Sequence, residues 1–532
     1  MEIFGADLRS LAIFRIVLAL LVLADLANRA TDMVAHYSDR GILSRAAVVN
    51  DPDVLSPYTF SLNLISGLPE FQALLFGVAA LATLATLAML AGYRTRIAIF
   101  IVWVLLLSIQ YRNPLILASG DVLLRLLLFW SLFLPLGAVW SVDRARQAVP
   151  RNLSMRFLSF GTVALFLQIA IVYWVTAILK TGDEWRDGSA LYYTLSQEQV
   201  ANQLGAVLLN FPTLLVVASF ATLALEAFGP FLLFSPFFTG PVRTAAIAMF
   251  MGLHFGIWFA IDIGIFPWIS ALCMVCFLPT WFWDTALPKL RDMLPGREFV
   301  TQRFRALRDT AARLAQGYPS TLMTRPSPAG FAEQPTDSRP ASGILRLRSS
   351  LAVNLLGAFF LFYVLLWNVG TVSPFAMPAT AYTVGYFLGL DQYWTMYAPG
   401  PPKDDGWWVI PGNLRNGNQA DLISVVRDDY EPRRVSYEKP ENIHSLDNNE
   451  HWRKYLEYLT TTEYSESRER TADQREQSQN FSEYLCRAWN ERHAGEESLR
   501  SLEVVFMREK TLPDYKASDP ERITLQEHTC GR

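Results

Sequence analysis

One lysine of this sequence stands where an amine could act as a general base. Lys180 ends the aromatic and apolar run 168–179, and Asp183, Glu184 and Trp185 follow it closely. In an apolar pocket, desolvation disfavours the ammonium form and leaves a neutral amine that can accept a proton. At a membrane surface, the same side chain would extend toward the headgroups and only anchor its helix. The residues alone leave both interpretations open.

Six further charged or ionisable side chains interrupt long apolar stretches. They are Arg15, Asp25, Asp121, Arg125, Glu226 and His254. Such groups are costly in hydrocarbon, so each is either functional or part of a buried pair. Asp121 and Arg125 are spaced i,i+4 and can neutralise each other. Arg15 can form an interhelical ion pair with Glu226 or with Asp25.

The histidines and cysteines do not predict a metal site. His254 lies on an apolar stretch, where a hydrogen-bonded core histidine is commoner than a ligand. Four histidines occur in the C-terminal part: His444, His451, His493 and His528. Because their spacing is not that of metal ligands, we expect surface or packing roles for them. Cys273 and Cys276 lie in an apolar run and are expected to be inert thiols, whereas Cys486 and Cys530 can form a disulfide outside the cytoplasm.

The composition indicates that most of these residues lie in a membrane. Hydrophobic residues make up 52% of the 532-residue chain and charged residues only 18%, whereas soluble domains average about 25% charged residues. Basic and acidic residues number 16 and 17 in 1–285, 11 and 5 in 286–370, and 19 and 27 in 371–532. This distribution argues against an ordinary soluble enzyme, and no basic excess indicates a nucleic-acid partner.

Nine apolar stretches are long enough, or nearly long enough, to cross a bilayer. A helix needs about 20 residues to span roughly 30 Å of hydrocarbon. The stretches are about 8–28, 71–93, 96–111, 121–140, 158–180, 213–236, 242–261, 264–283 and 350–370. They predict an all-α polytopic membrane bundle of about nine transmembrane helices that is surrounded by the lipid bilayer.

Basic residues in the loops predict which way this bundle faces. Eighteen Lys or Arg residues follow even-numbered stretches, and five follow odd-numbered ones. Because positively charged loops stay in the cytoplasm, the N-terminus is predicted to be cytoplasmic and the chain from about residue 371 extracytoplasmic. Five candidate side chains then fall in the outer half of the membrane: Asp25, Asp121, Arg125, Lys180 and His254. If their helices pack together, these side chains line a polar pocket that opens away from the cytoplasm.

The chain divides into four segments by composition. We predict a membrane domain at 1–285, a basic cytoplasmic linker at 286–349, a last transmembrane helix at 350–370 and an acidic extracytoplasmic domain at 371–532. The last segment predicts a small mixed α/β fold, with strands at 407–410, 421–426 and 502–507 and helices at 450–462 and 472–490. It contains no recognisable catalytic motif.

Several motifs, in order along the first segment, resemble those of one known family. They are SLAIFR at 10–15, YSDRG at 37–41, WSVD at 140–143, QIAIVY at 168–173 followed by Lys180 and Trp185, and His254 followed by GIFP at 264–267. This order is similar to that of the HTTM domain, the membrane module that vitamin K-dependent gamma-carboxylase shares with many bacterial proteins. The resemblance covers about residues 5–285.

The resemblance implies a chemistry for Lys180. In the carboxylase, a lysine at this place is the base toward vitamin K hydroquinone, which then reacts with oxygen to give the strong base that removes a glutamate γ-proton before CO₂ adds. By resemblance, Lys180 would be catalytic, and reduced vitamin K or menaquinol would be the cofactor. Asp121, Arg125 and His254, as residues that line the predicted pocket, would orient the quinol or a substrate carboxylate. An exported peptide or small molecule would be modified at the outer face of a bacterial cytoplasmic (inner) membrane.

The chain also departs from the carboxylase. Gly120 and Asp121 stand where the carboxylase has a functional histidine, and Leu179 precedes Lys180 where it has paired lysines. The tail does not resemble the propeptide-binding domain, although 392–399 and 405–407 resemble segments of bacterial relatives. A second hypothesis is therefore a non-catalytic membrane partner in peptide export or maturation, with Lys180 as an anchor. A transporter is disfavoured because the sequence shows no internal repeat.

Overall fold

The chain folds into a helical N-terminal bundle and a C-terminal domain built on a β-sheet. The computed structural model describes residues 3–50, 59–64, 72–146, 152–293, 331–335, 344–446, 448–460 and 470–531. Most of the predicted linker 286–349 lies outside these residues. The described parts are mostly helical, as the sequence predicts.

Helices account for nearly all of the N-terminal bundle. They are α1 (Leu8–Thr31), α2 (Met33–Tyr37), α3 (Arg45–Asn50), α4 (Gln72–Ala91), α5 (Thr95–Gln110), α6 (Ser119–Ser131), α7 (Val142–Ala145), α8 (Phe160–Leu179), α9 (Asp183–Asp187), α10 (Ala190–Leu195), α11 (Gln203–Leu208), α12 (Pro212–Leu233), α13 (Thr239–Ala260), α14 (Phe266–Cys273), α15 (Leu287–Met293), α16 (Leu351–Val372) and α17 (Ala379–Leu388). Single turns of 3₁₀ or π-helix lie at Leu62–Leu64, Pro114–Ile116, Met274–Phe277 and Phe282–Ala286.

Six of the described helices are long and apolar enough to cross a membrane. They run over Leu8–Thr31, Leu74–Ala91, Phe160–Leu179, Pro212–Leu233, Thr239–Ala260 and Leu351–Val372, and each corresponds to a predicted stretch. The apolar helix α5 has only 16 residues, and α6 has 13. Helix α6 ends at Ser131 rather than at 140 because Pro135 would clash with the carbonyl four residues before it.

The predicted stretch 264–283 is bent rather than straight. Its halves, Phe266–Phe277 and Phe282–Met293, meet at 86°. Pro279 lies in the break, and proline disfavours the helical conformation of the residue before it. Leu278 accordingly has a ψ of 117°, outside the helical range. If the bent pair counts as one span, the described residues contain seven candidate spans.

Two small sheets join parts of the chain that are distant in sequence. Strand β1 (Ala6–Asp7) pairs antiparallel with β3 (Arg156–Phe157). Strand β5 (Ile344–Ser349) pairs parallel with β2 (Asn152–Leu153) and antiparallel with β4 (Phe331–Pro335). The end of the predicted linker is therefore paired with the loop before α8.

A six-stranded sheet forms the core of the C-terminal domain. Its strands are β6 (Asp404–Val409), β7 (Pro411–Leu414), β8 (Gln419–Asp421), β9 (Leu499–Leu512), β10 (Lys516–Ala517) and β11 (Glu521–Thr529). The long strand β9 pairs antiparallel with β6, β7, β10 and β11, and β8 pairs with β7. Three helices accompany the sheet: α18 (Ile423–Val426), α19 (Glu450–Thr460) and α20 (Ala472–Asn490).

Four of the five elements predicted in the C-terminal domain are present, one is wrong, and strands β7, β8, β10 and β11 were not predicted. Strands cover 407–409 and 502–507, and α19 and α20 begin at the predicted residues. The strand predicted at 421–426 is wrong, because the chain turns after Asp421 and forms α18. The Asp421 carboxylate accepts hydrogen bonds from the backbone N–H groups of Ile410 (3.0 Å) and Ile423 (3.2 Å), and so stabilises this turn.

The C-terminal domain packs against one end of the helical bundle. Trp452 on α19 lies 4.5 Å, ring centroid to centroid, from His36 on α2. Trp452 and Phe481 belong to the same hydrophobic core as α1 and α6. A disulfide between Cys486 and Cys530 ties α20 to the chain after β11, while Cys273 and Cys276 are buried free thiols. The two domains therefore share one continuous core.

Candidate functional site

Lys180 lies directly after the last residue of α8, and its side chain turns into the protein. Only 3% of that side chain is exposed. Its Nζ donates to Oε2 of Glu226 on α12 and forms a buried ion pair. The amine also lies 4.2 Å from the centroid of the Trp185 indole ring, within cation–π distance. Lys180 is therefore buried, but it is paired with a carboxylate rather than held as a bare amine.

The elements around this pair fix both side chains. At its N-terminus α8 is capped by Ser159, whose hydroxyl accepts from the Thr162 N–H at 3.3 Å. At its C-terminal side, the backbone N–H of Gly182 donates to the Pro399 carbonyl at 2.8 Å. Glu226 lies four residues before Pro230 within α12, and Pro230 has no N–H to donate to the Glu226 carbonyl.

His254 pairs with a tyrosine on the same helix that leads to Lys180. Its Nε2 is 2.8 Å from the Tyr173 hydroxyl, and its ring meets Phe266 edge-on at 5.8 Å between centroids. Tyr173 precedes Lys180 by seven residues, which corresponds to two helical turns, or about 10 Å. The Nδ1 atom of His254 has no hydrogen-bond partner among the described residues. His254 is thus a buried histidine with one nitrogen still available.

Arg125 is held by an aspartate from the C-terminal part of the chain. Its Nη2 donates to the carboxylate of Asp391 at 2.7 Å and to the Asp391 carbonyl at 2.8 Å. The Tyr111 hydroxyl donates to the same carboxylate at 2.7 Å, and the guanidinium lies 5.3 Å from the Tyr111 ring centroid. The Nε and Nη1 atoms of Arg125 are buried without a partner in the described structure.

Asp121 belongs to a different ion pair. Its Oδ1 accepts from Arg29 on α1, and its Oδ2 accepts from the Ala118 N–H at 2.7 Å, which caps α6. Arg29 also donates through Nε to both oxygens of Asp25, at 3.1 and 2.9 Å. The side chains of Arg29 and Asp25 are at most 1% exposed. The predicted i,i+4 neutralisation between Asp121 and Arg125 is therefore wrong, since each has its own partner.

Arg15 does not pair with a carboxylate in the way that the sequence suggested. Its guanidinium donates to the backbone carbonyls of Leu136 (3.1 Å) and Trp140 (2.7 Å) in the loop after α6. Loop and helix-end carbonyls lack intrahelical donors, so a buried guanidinium is a good partner for them. Both proposed pairs of Arg15, with Glu226 and with Asp25, are wrong.

The segment 391–399, which includes the stretch 392–399 that the sequence resemblance singled out, crosses the face of α8. Gln392 accepts through Oε1 from the side chains of Gln168 (2.8 Å) and Trp394 (3.0 Å). The hydroxyl of Thr176 donates to the Trp394 carbonyl at 3.2 Å. Close to Lys180, the indole N–H of Trp185 donates to the carbonyl of residue 397 at 2.9 Å. This segment therefore covers α8 from Gln168 to its C-terminal end.

The structure does not join the four predicted site residues into one side-chain cluster. Lys180, His254, Arg125 and Asp121 each form a hydrogen bond or ion pair with a different partner: Glu226, Tyr173, Asp391 and Arg29, respectively. Sequence reasoning did not assign these partners, since each is distant in sequence. Of these partners, Glu226 carried the clearest sequence signal, because it is a charged residue inside an apolar stretch.

The fold and this site define a multi-pass membrane protein with a buried lysine–carboxylate pair next to a helix end. The sequence model of one family, described as the HTTM domain, matches residues 5–281, just over half of the chain. The chain therefore belongs to the HTTM domain family, as the motifs indicated. No curated protein and no solved structure matches the chain.

Proposed function

We propose that this protein is a quinol-dependent membrane enzyme related to vitamin K-dependent gamma-carboxylase, with Lys180 as the base. The observation that carries the proposal is the buried Lys180–Glu226 pair at the end of α8 in an HTTM module. The cofactor would be reduced vitamin K or menaquinol. The substrate would be an exported peptide or a small molecule.

The Lys180–Glu226 pair can accept a proton although, as an ion pair, it consists of an ammonium and a carboxylate. The amine and the carboxylate hold one proton between them, and in an apolar surrounding the proton can reside on either group because desolvation opposes both charges. Uptake of a second proton, from a quinol hydroxyl, would leave Lys180 as an ammonium and Glu226 as a carboxylic acid. Lys180 would be the proton acceptor, and Glu226 would act through it.

Unpartnered buried groups fit the binding of a quinol. Arg125 has two guanidinium nitrogens and His254 one ring nitrogen without hydrogen-bond partners in the described structure. Such groups are what the oxygens of a quinol or a substrate carboxylate require. We keep Asp121, Arg125 and His254 as the residues that would bind and orient the cofactor, Asp121 through its place at the start of α6. When bound, the reduced quinone would supply the oxygen-dependent strong base of the carboxylase reaction.

We further propose nine transmembrane spans, with the N-terminus in the cytoplasm and the C-terminal domain outside a bacterial cytoplasmic (inner) membrane. The proposal rests on the distribution of basic residues. The disulfide Cys486–Cys530 supports it, because such bonds persist in oxidising compartments. Lys180 would share the outer side with the C-terminal domain, since residues after Lys180 bond to the 397–399 region.

Two measurements on the purified protein in detergent test the proposed function. Titration with reduced vitamin K or menaquinol should show saturable binding, and turnover should give quinone epoxide together with fixation of labelled CO₂ into an added peptide. Epoxide without CO₂ fixation would retain the quinol chemistry and reject the peptide substrate. No binding of either quinol would overturn the proposal.

A second candidate function is a non-catalytic membrane partner that assists export or maturation of a peptide. The contacts of the segment 391–399 with the C-terminal half of α8 and with Trp185 favour it, because Lys180 then has a structural role. In this case the acidic C-terminal domain would provide the surface that binds the peptide. Absence of quinol binding, together with peptide retention on the immobilised protein, would support this function over the enzymatic one.

A further inference from the structure

A buried polar cluster lies where the C-terminal domain meets the helical bundle. It contains one side chain from each of α1, α6 and α19, namely Asp25, Asp121 and His451. A possible ligand atom of each lies within 4.8 Å of those of the other two. All three residues are buried, with exposures of 1%, 5% and 2%. We call this set the junction cluster.

The histidine of the junction cluster has a nitrogen that nothing in the described structure satisfies. The Nε2 atom of His451 is buried and has no hydrogen-bond partner there. A second buried histidine, His36, lies 6.2 Å from His451 between ring centroids, and neither of its nitrogens has such a partner. Buried imidazole nitrogens are rarely left unpaired in native proteins, and a bound ion is one recognised partner for them. The unsatisfied nitrogen therefore points to a ligand.

The charges around the cluster also favour a cation. Asp25 and Asp121 share the single guanidinium of Arg29. Glu450, next to His451, lies close enough to interact with both aspartates and with Arg453. Two carboxylates thus face one guanidinium group in a largely buried space. Each carboxylate oxygen has two lone pairs, so the pairing with Arg29 leaves acceptor capacity on both aspartates.

We propose that Asp25, Asp121 and His451 bind a divalent transition-metal ion of the zinc type. Two carboxylates and one imidazole are a donor set that such ions accept, and three protein ligands leave a fourth position for water or Glu450. Tetrahedral bonds of about 2.1 Å place ligand atoms about 3.4 Å apart. The present ligand atoms lie within 4.8 Å of one another, so side-chain rotations must bring them closer when the ion binds. His36 would adjoin the site without being a ligand.

The backbone around His451 is suited to present the ring to the membrane domain. The Asn449 side chain accepts hydrogen bonds from the N–H groups of His451 (3.0 Å) and Trp452 (3.2 Å), which fixes the start of α19. The same asparagine side chain donates to Asp32 on the bundle. A metal ion at the junction cluster would therefore link α1 and α6 directly to the C-terminal domain.

Metal content of the full-length protein tests this inference. After purification, chelator treatment and incubation with Zn²⁺, we expect about one equivalent of zinc per chain. Loss of an outer-shell partner alone weakens metal binding by about 10- to 100-fold, so His451→Ala should weaken zinc binding by at least about 100-fold. The control His528→Ala changes a histidine of the same domain outside the cluster and should bind zinc as the wild type does.

The wild-type protein gives a second readout that does not depend on the folding of a variant. X-ray absorption of the zinc-loaded protein should show nitrogen and oxygen ligands with one imidazole and no sulfur. Absence of zinc uptake, sulfur ligation, or unchanged zinc binding by His451→Ala would each overturn the inference. Asp121 is shared with the proposed quinol site, but zinc content is measured without turnover, so the two proposals can fail separately.

Discussion

At the level of single residues, the buried pair of Lys180 and Glu226 joins two helices of the bundle. Burying a charge costs desolvation free energy, and in a buried ion pair the attraction between the two opposite charges offsets that cost. The offset is lost when either charge is removed. The pair lies on two helices, α8 and α12, and its partners are 46 residues apart in sequence. Each side chain therefore depends on the other, whatever reaction the protein performs.

Removing one partner of this pair should destabilise the protein more than removing both charges. Glu226→Gln leaves Lys180 buried without a counter-ion, and the expected loss is roughly 3–5 kcal/mol of unfolding free energy. The double variant Lys180→Met with Glu226→Gln should recover most of that loss. The midpoint of thermal unfolding in detergent measures both effects. Glu496→Gln, at an exposed turn, is the control and should change stability by less than about 0.5 kcal/mol. A double variant less stable than Glu226→Gln would contradict the buried ion pair.

A buried carboxyl group in the C-terminal domain makes a separate prediction about pH. Burial raises the pKa of Asp405 to about 6. The hydrogen bond that its carboxylate accepts from the Glu198 N–H at 2.6 Å and the charge of Lys439 lower this pKa, whereas the carboxylate charge of Glu198 raises it. The pKa of Asp405 in the folded protein exceeds the unfolded value of about 3.9. The contribution of Asp405 to the free energy of unfolding is therefore fully present below pH of about 3.9 and is lost as pH rises through about 6.

Asp405→Asn cannot ionise and should remove this dependence. Relative to the wild type, the variant should gain about 2–3 kcal/mol of unfolding free energy between pH of about 4 and about 8. Unfolding midpoints of both proteins at the two pH values give the difference, in which all other titrating groups cancel. A constant difference across this range would show that Asp405 titrates normally.

The sequence predicted which ionisable residues lie inside the bundle but not their partners. Lys180, Asp121, Arg125 and His254 were singled out because ionisable groups are rare in apolar stretches. Their partners come from other helices, and the packing of helices determines which groups meet. Arg15 is an example, because it donates to backbone carbonyls of a loop rather than to Asp25 or Glu226, the partners that the sequence predicted.

At the level of elements, the length of an apolar stretch predicted helices but not where they end. The stretches at 8–28, 158–180 and 350–370 each became one straight candidate span. In contrast, Pro135 ends α6 early and Pro279 bends the stretch after 264. The run 421–426 was apolar enough for a strand, but the Asp421 side chain accepts from the Ile423 N–H and stabilises a turn there instead.

The segment 391–399 offers an element-scale test, because a buried glutamine holds it on α8. Gln392→Ala removes the acceptor of Gln168 and Trp394 and leaves buried donors unsatisfied, which costs about 1–3 kcal/mol each. We expect a lower unfolding midpoint and faster proteolysis near this segment. Gln479→Ala, an exposed site on α20, is the control. Equal proteolysis of the two variants would mean that Gln392 does not hold the segment.

At the level of the whole molecule, composition and motif order identified a helical membrane protein with an added mixed domain. The sequence could not predict how closely the two parts join. That contact depends on Trp452 and on polar groups from both domains, which have no periodicity to reveal them. The proposed metal-binding role of His451 could not be predicted from sequence spacing either, because Asp25 and Asp121 lie more than 300 residues before it.

Topology can be tested with two single cysteines on opposite sides of the proposed membrane. A membrane-impermeant thiol reagent added to intact cells should label Asn416→Cys, at an exposed turn of the C-terminal domain, and should miss Ser320→Cys in the linker. The native cysteines give low background, because two are buried and two form a disulfide. Labelling of Ser320→Cys alone would place the C-terminal domain in the cytoplasm.

The measurement that most directly tests Lys180 as the base is oxygen-dependent consumption of reduced menaquinol or vitamin K by purified variants. Lys289→Ala, at an exposed lysine on α15, should keep the wild-type rate. Lys180→Ala should lower the rate by at least about 100-fold, because general-base catalysis typically contributes that much or more. A folded Lys180→Ala protein that consumes quinol at the wild-type rate would contradict the proposed role of Lys180.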